Sequence, residues 1–144
     1  MTEVAFHFNA PNKLAYACRL LRKAVASGSR VVVTAEPEDL KTLDSLLWTF
    51  SQIDFVPHAM QSASAKLVAA SPVILSETTA DVPHRQVLLN LGSGVPDGFE
   101  QFERVIEVVS HEDDDRKLAR GRWKQYTDRG YDITRHDLNL KGAT

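Results

Sequence analysis

The chain has little cysteine, no excess of charge of either sign and no long apolar run, and each shortage excludes a class of protein. A single cysteine, Cys18, cannot close an internal disulfide, so the fold has to rest on its core, as in a reducing compartment. Seventeen basic against nineteen acidic residues leave a formal net charge of -2, which excludes a general binder of DNA, RNA or acidic membranes. Any anion binding has to be local. No apolar stretch approaches the ~20 residues needed to span a bilayer. The opening Met1-Thr-Glu-Val4 also lacks the charged-then-apolar layout of a secretory signal. The expected location is cytoplasmic, without membrane contact.

Catalytic and cofactor motifs are missing too. A phosphate-cradling loop needs glycines between a strand and a helix; after the first strand the sequence reads Asn9-Ala-Pro-Asn12, without one. Gly92-Ser-Gly94-Val-Pro-Asp-Gly98 has the wrong spacing, no lysine and an internal proline, and reads as a turn. His7, His58, His84, His111 and His136 are scattered, with no paired spacing for zinc. Asp113-Asp-Asp115 sits where a helix start would use it, and three adjacent carboxylates there do not converge on one cation. No Gly-x-Ser-x-Gly elbow occurs, and Cys18, among Ala17 and Leu20-Leu21, belongs to an apolar helix face. The residues argue for no catalytic site, no cofactor and no metal.

What is present is alternation of strands and helices. Glu3 to Phe8 alternates with Val4, Phe6 and Phe8 on one face. Pro11 opens a helix with Leu14, Cys18, Leu21 and Val25 at helical spacing, and Gly28 closes it. Arg30–Thr34, Pro72–Leu75, Gln86–Leu91 and Arg104–Val109 are short apolar runs of the kind buried on both faces of a parallel sheet. Pro37 begins a second helix with an inward stripe of Leu40, Leu43, Leu47 and Phe50. Residues 60–70 read as a connection. The pattern predicts a single α/β domain over 1–144, three-layered and Rossmann-like, with a mostly parallel central sheet flanked by helices and no nucleotide-binding loop. Residues from about 132 to 144 lose apolar content and read as a loosely packed tail, although Tyr131, Ile133 and Arg135 alternate.

Two regions stand out from this scaffold. Trp48 projects more than about 90° from the stripe of the second helix, and Phe55 follows in a turn before Pro57. They either pack under the loop as a satellite of the core or anchor a partner. The other region, Val109 to Tyr131, reads as one helix. Ser110 and Asp113 form its capping box, Glu112 to Asp115 face the positive end of the dipole, and Gly130 is the left-handed stop. Leu118, Ala119 and Tyr126 are the expected core face. Arg116, Arg120, Trp123 and Lys124 share a sector of roughly 100°. With the acids concentrated in the first turn, that strip has few carboxylate partners four residues away. It is either a solvated face or a receptor for an anionic group with an apolar part.

Leu46-Leu-Trp48, Phe55-Val-Pro-His58, Val87-Leu-Leu-Asn-Leu-Gly92, Phe102-Glu-Arg-Val-Ile-Glu-Val-Val109 and Arg116-Lys-Leu-Ala-Arg-Gly-Arg-Trp-Lys-Gln-Tyr126 occur in an order that resembles the chi subunits of bacterial DNA polymerase III holoenzyme. The resemblance implies a non-catalytic adaptor of replication on a Rossmann-like fold. One surface would bind the acidic C-terminal tail of single-stranded-DNA-binding protein, through Val109, Arg120, Trp123 and Lys124, with Arg116 nearby. A second, with Trp48 and Phe55, would bind the psi subunit and so join the clamp loader. A repair helicase is a further possible partner, and DNA would be met only indirectly. Two rival classes stay open: weak direct binding of single-stranded nucleic acid along the Arg/Trp strip, and a degenerate nucleotide-binding enzyme on the same scaffold.

Overall fold

Alternating and continuous apolar runs become strands of one sheet in the computed structural model, which describes residues 2–49 and 56–139. In chain order the elements are β1 (Glu3–Ala10), α1 (Lys13–Ala26), β2 (Val31–Thr34), α2 (Pro37–Thr49), β3 (His58–Met60), α3 (Ala65–Ala70), β4 (Val73–Ser76), β5 (Val87–Asn90), a 3-10 turn at Phe99–Gln101, β6 (Arg104–Ser110), α4 (Asp113–Asp128) and β7 (Ile133–Asp137). The sheet has seven strands in the order β3-β4-β2-β5-β6-β1-β7. Every neighbouring pair is parallel. This is the expected three-layer α/β architecture.

Parallel strands buried on both faces need helices on both faces. Against one face α1 and α2 bury Tyr16, Ala17, Cys18, Leu21, Leu40, Leu43 and Leu47 over Val31, Val33, Leu75 and Leu89. Against the other, Val68, Phe99, Ala119 and Tyr126 cover Val4, Phe6, Val32, Ile74, Leu88 and Val105. At ~1.5–3 kcal/mol for each fully buried large apolar side chain, these two layers hold the fold. Connections that move along the sheet in one direction use α1 and α2, and the helical ones that return, from β3 to β4 and from β6 to β7, use α3 and α4 on the other face, as right-handed crossovers require. Cys18 is a core residue: burial pushes its thiol up to about 11.

Three elements were not expected from the sequence. β3 and α3 are only three and six residues long, too short to show a period. Ser64 caps α3 by accepting from the Leu67 N–H at 3.3 Å. The stretch read as a tail supplies β7, which pairs Ile133 to Asp137 with Val4 to Phe8 of β1. An edge strand needs little apolar content, and Ile133 alone of the β7 residues packs against a core.

The stretch read as a single helix from Val109 divides in two. Val109 and Ser110 end β6, and α4 begins at Asp113. No side chain caps from Glu112, the N-cap position, so the expected capping box of Ser110 and Asp113 does not form. Asp115 replaces it, accepting from the Ser110 N–H at 2.8 Å and pairing with Lys13 Nζ at 3.0 Å. Burial acts to raise the Asp115 carboxyl, but the Ser110 N–H and the Lys13 ammonium outweigh it and hold the group below the usual carboxylate range. At the other end, Gly130 takes φ 86°. The Tyr131 and Gly130 N–H groups return to the Tyr126 and Thr127 carbonyls, the expected glycine stop.

Candidate functional site

The second core determines how α4 faces the sheet. Glu107 of β6 points into that core and is fully buried, so it requires a charge partner. Arg122 supplies one, its Nε 2.9 Å from Glu107 Oε1, and is itself only 1% exposed. Tyr126 Oη donates to Glu107 Oε2 at 2.8 Å, and Asn90 Nδ2 donates to both carboxylate oxygens. Arg122 Nη1 also donates to the Ser93 carbonyl at 3.1 Å. Burial drives the Glu107 carboxyl upward, against the Arg122 charge and these hydrogen bonds. The donors surround both oxygens, an arrangement suited to the ionised form.

This cluster corrects the expected core face of α4. Ala119 and Tyr126 are buried, but their companion is Arg122, and Leu118 is 49% exposed. Hydropathy ranks leucine above arginine for burial; a buried carboxylate on the facing strand reverses the order.

With Ala119, Arg122 and Tyr126 turned inward, the next sector of the helix, carrying Arg116, Arg120 and Trp123, lines a cleft of about 540 Å3. Phe8 and Asn9 of β1, Val109 and Ser110 of β6, and Arg135 and Asp137 of β7 complete its walls. The cleft lies at the carboxyl ends of β1 and β6. From these neighbouring strands the chain leaves in opposite directions, through α1 and α4, which makes this the switch point of the sheet, where α/β folds bind ligands. One extra residue in β1 between His7 and Ala10 opens the ladder at this point. Asn9 takes φ 64° in the bulge, a conformation asparagine tolerates, and its Nδ2 donates to Asp137 Oδ1 at 2.9 Å.

The cleft has an aromatic wall and a cationic rim. Trp123 packs edge-on to Phe6 with ring centroids 5.1 Å apart and lies 5.9 Å from Phe8. The Arg135 guanidinium sits 5.3 Å from the Phe8 ring and 5.7 Å from that of Trp123. Three arginines, Arg116, Arg120 and Arg135, face one carboxylate, Asp137. Among the described residues, neither Arg116 nor Arg120 forms an ion pair.

The structure therefore brings Val109, Arg116, Arg120 and Trp123 together. Lys124 stands apart: it lies beyond the lining and pairs with Asp128 at 3.0 Å, both side chains well exposed. Sequence reading missed Phe8, Asn9, Arg135 and Asp137. The alternation of Ile133 and Arg135 was the available sign that a strand brings Arg135 there.

Trp48 lies on a different part of the surface, at the end of α2, 61% exposed. Its ring meets that of His58 edge-on at 5.3 Å. His58 in turn is held by Asp44, at 2.9 Å, and by the Val56 carbonyl, at 2.7 Å. Phe55, and Phe50 of the expected stripe, lie outside the described residues. Among the described residues no group of three or more His, Cys, Asp or Glu side chains could hold a metal ion, and no helix is long and apolar enough to cross a membrane.

Comparison with known proteins places this geometry in a family. Residues 1–134 match the family model described as DNA polymerase III chi subunit, HolC. The chain is similar to the DNA polymerase III subunit chi of Pseudomonas aeruginosa, with 32% identity over 143 residues covering 96% of this chain and 98% of that protein. It is similar also to the subunits chi of Haemophilus influenzae, with 27% identity over 85% of both chains, and of Escherichia coli, with 27% identity over 81% of this chain and 79% of that one. With a match that runs through nearly the whole sheet and its helices, the chain belongs to the family of DNA polymerase III chi subunits.

Proposed function

We propose that this protein is a non-catalytic adaptor of the replicative DNA polymerase III holoenzyme, and that the α4 cleft captures the acidic C-terminal tail of single-stranded-DNA-binding protein. The observation that carries this reading is the meeting of Arg116, Arg120, Trp123 and Val109 in one cleft with three arginines to one carboxylate. A peptide carboxylate at Arg120 gains charge-assisted, bidentate hydrogen bonds. The terminal apolar side chain lies against Trp123 and Val109. Upstream acids meet Arg116 and Arg135, with Lys117 and Lys124 at the rim, and these outer charges act mainly on the association rate.

A second surface, around exposed Trp48, receives the psi subunit and through it the clamp loader. A large exposed indole supported by a buried imidazole is a preformed anchor. Direct nucleic-acid binding at α4 is the weaker reading, because one indole and a few cations on a single helix of a chain of net charge -2 offer only a short track for a phosphate backbone.

Calorimetric titration with a peptide of the last ten or so residues of the organism's own single-stranded-DNA-binding protein tests the reading. Saturable micromolar binding is expected, lost when the terminal residue is removed and weakened as salt is raised through the physiological range. Affinity indifferent to both changes would rule out recognition of a terminal carboxylate by the arginine rim.

A further inference from the structure

On the opposite face of the sheet a second groove has the chemistry of a binding site that neither proposed surface uses. α1 and α2 leave part of the β6-β1-β7 end of that face without a helix. The result is a cavity of about 730 Å3 between α1 and the sheet. Its floor is apolar, with Leu20 and Ala24 of α1, Ile106 of β6 and Leu138 after β7. Its rim is basic. Arg19, Arg22 and Lys23 stand on one side of α1, Arg104 closes the far end, and among the described residues no carboxylate lines the groove. The Arg104 guanidinium only approaches Glu3, at 3.8 Å with both side chains exposed, and Lys23 forms no ion pair among the described residues. In a chain of net charge -2 this clustering of cations departs sharply from the average surface.

We propose that this groove docks an acidic peptide segment of a partner protein, with apolar side chains interleaved among its carboxylates. Charge complementarity selects the sign of the ligand, and the floor selects its kind. Leu20, Ala24, Ile106 and Leu138 offer dispersion contacts to aliphatic side chains along the groove, while Arg19 and Lys23, four residues apart on one side of the helix, meet successive carboxylates. A single-stranded nucleic acid fits less well, since it needs open ring faces for its bases. The candidate rings here are engaged with one another: His7 meets Tyr16 through its Nδ1 and the phenol oxygen, and lies 4.6 Å from His136. Tyr16 is 9% exposed.

Because the α4 cleft also favours acidic peptides, the test has to separate the two. The probe is a fluorescent, C-terminally amidated peptide of alternating glutamate and leucine, which has no terminal carboxylate for Arg120. Anisotropy titration of the full chain is expected to show saturable binding, weakened at least tenfold by Arg19→Glu combined with Lys23→Glu and unchanged by Arg120→Ala. The same double variant should bind the single-stranded-DNA-binding protein tail as the parent does, which shows that it is folded. No saturable binding, loss through Arg120→Ala instead, tighter binding of oligothymidylate than of the peptide, or a groove occupied by a second copy of the chain in sedimentation would each overturn the proposal.

Discussion

Arg122→Ala is expected to destabilise the protein by about 3–5 kcal/mol, the range for leaving one buried charge without its partner. Glu107 is fully buried, and the strongest donor facing it would be gone. A loss of this size is a large share of the stability of an ordinary domain and would appear in urea unfolding as a lower midpoint. Removing both charges with Glu107→Leu and Arg122→Met should recover part of the loss, because no unpaired charge is then buried, though Asn90 and Tyr126 lose an acceptor. A change within about 0.5 kcal/mol for Arg122→Ala, the range of ordinary surface substitutions, would mean that the cluster is not what anchors α4. The anchoring matters for function, since the side chains of the buried sector set the direction of Arg120 and Trp123.

Arg120→Ala is expected to weaken binding of the single-stranded-DNA-binding protein tail by roughly ten- to a hundredfold, corresponding to about 1.5–3 kcal/mol for a hydrogen bond to a charged group. Its side chain is exposed and forms no ion pair among the described residues, so the unfolding midpoint should stay within error of the parent. Lys124→Ala should cost less than about threefold, because Lys124 stands outside the cleft and is already paired with Asp128 at the exposed surface, where such pairs contribute little. Equal losses in the two variants, measured by titration at one salt concentration, would show that general positive charge rather than the shape of the cleft governs binding.

The sheet was legible because buried parallel strands are written as short unbroken apolar runs, as in Val31-Val-Val33 and Val87-Leu-Leu89, and because α1 and α2 keep apolar side chains at helical spacing. β3 and α3 escaped because elements of three and six residues are too short to show a period. β7 escaped because an edge strand with Thr134, Arg135 and Asp137 has one apolar residue, Ile133, too few for the alternation to stand out. That miss has a functional cost, since β7 carries Arg135 and Asp137 into the cleft.

The cleft itself was half legible. The spacing of Arg116, Arg120 and Trp123 on one helix requires them to share a sector, whereas the walls from β1, β6 and β7 depend on strand order, which a linear pattern does not carry. Lys124 follows the same spacing but falls at the outer edge of that sector, and only the placement of the helix by Arg122 and Glu107 shows the difference. A buried arginine is also the feature least visible in a hydropathy pattern. Arg122 is flanked by Gly121 and Trp123 in a stretch that otherwise reads as a solvated cationic face.

The most direct measurement is a pair of nitrogen-15 correlation spectra of the protein, without and with the tail peptide of single-stranded-DNA-binding protein. Saturating shifts are expected for the Trp123 indole N–H, for the backbone of Val109 and Ser110, and for residues 116–124 and 135–137, with the α1 groove and the Trp48 indole undisturbed. Shifts confined to α1 or to Trp48, or no saturating shifts at all, would contradict capture of the tail by the α4 cleft.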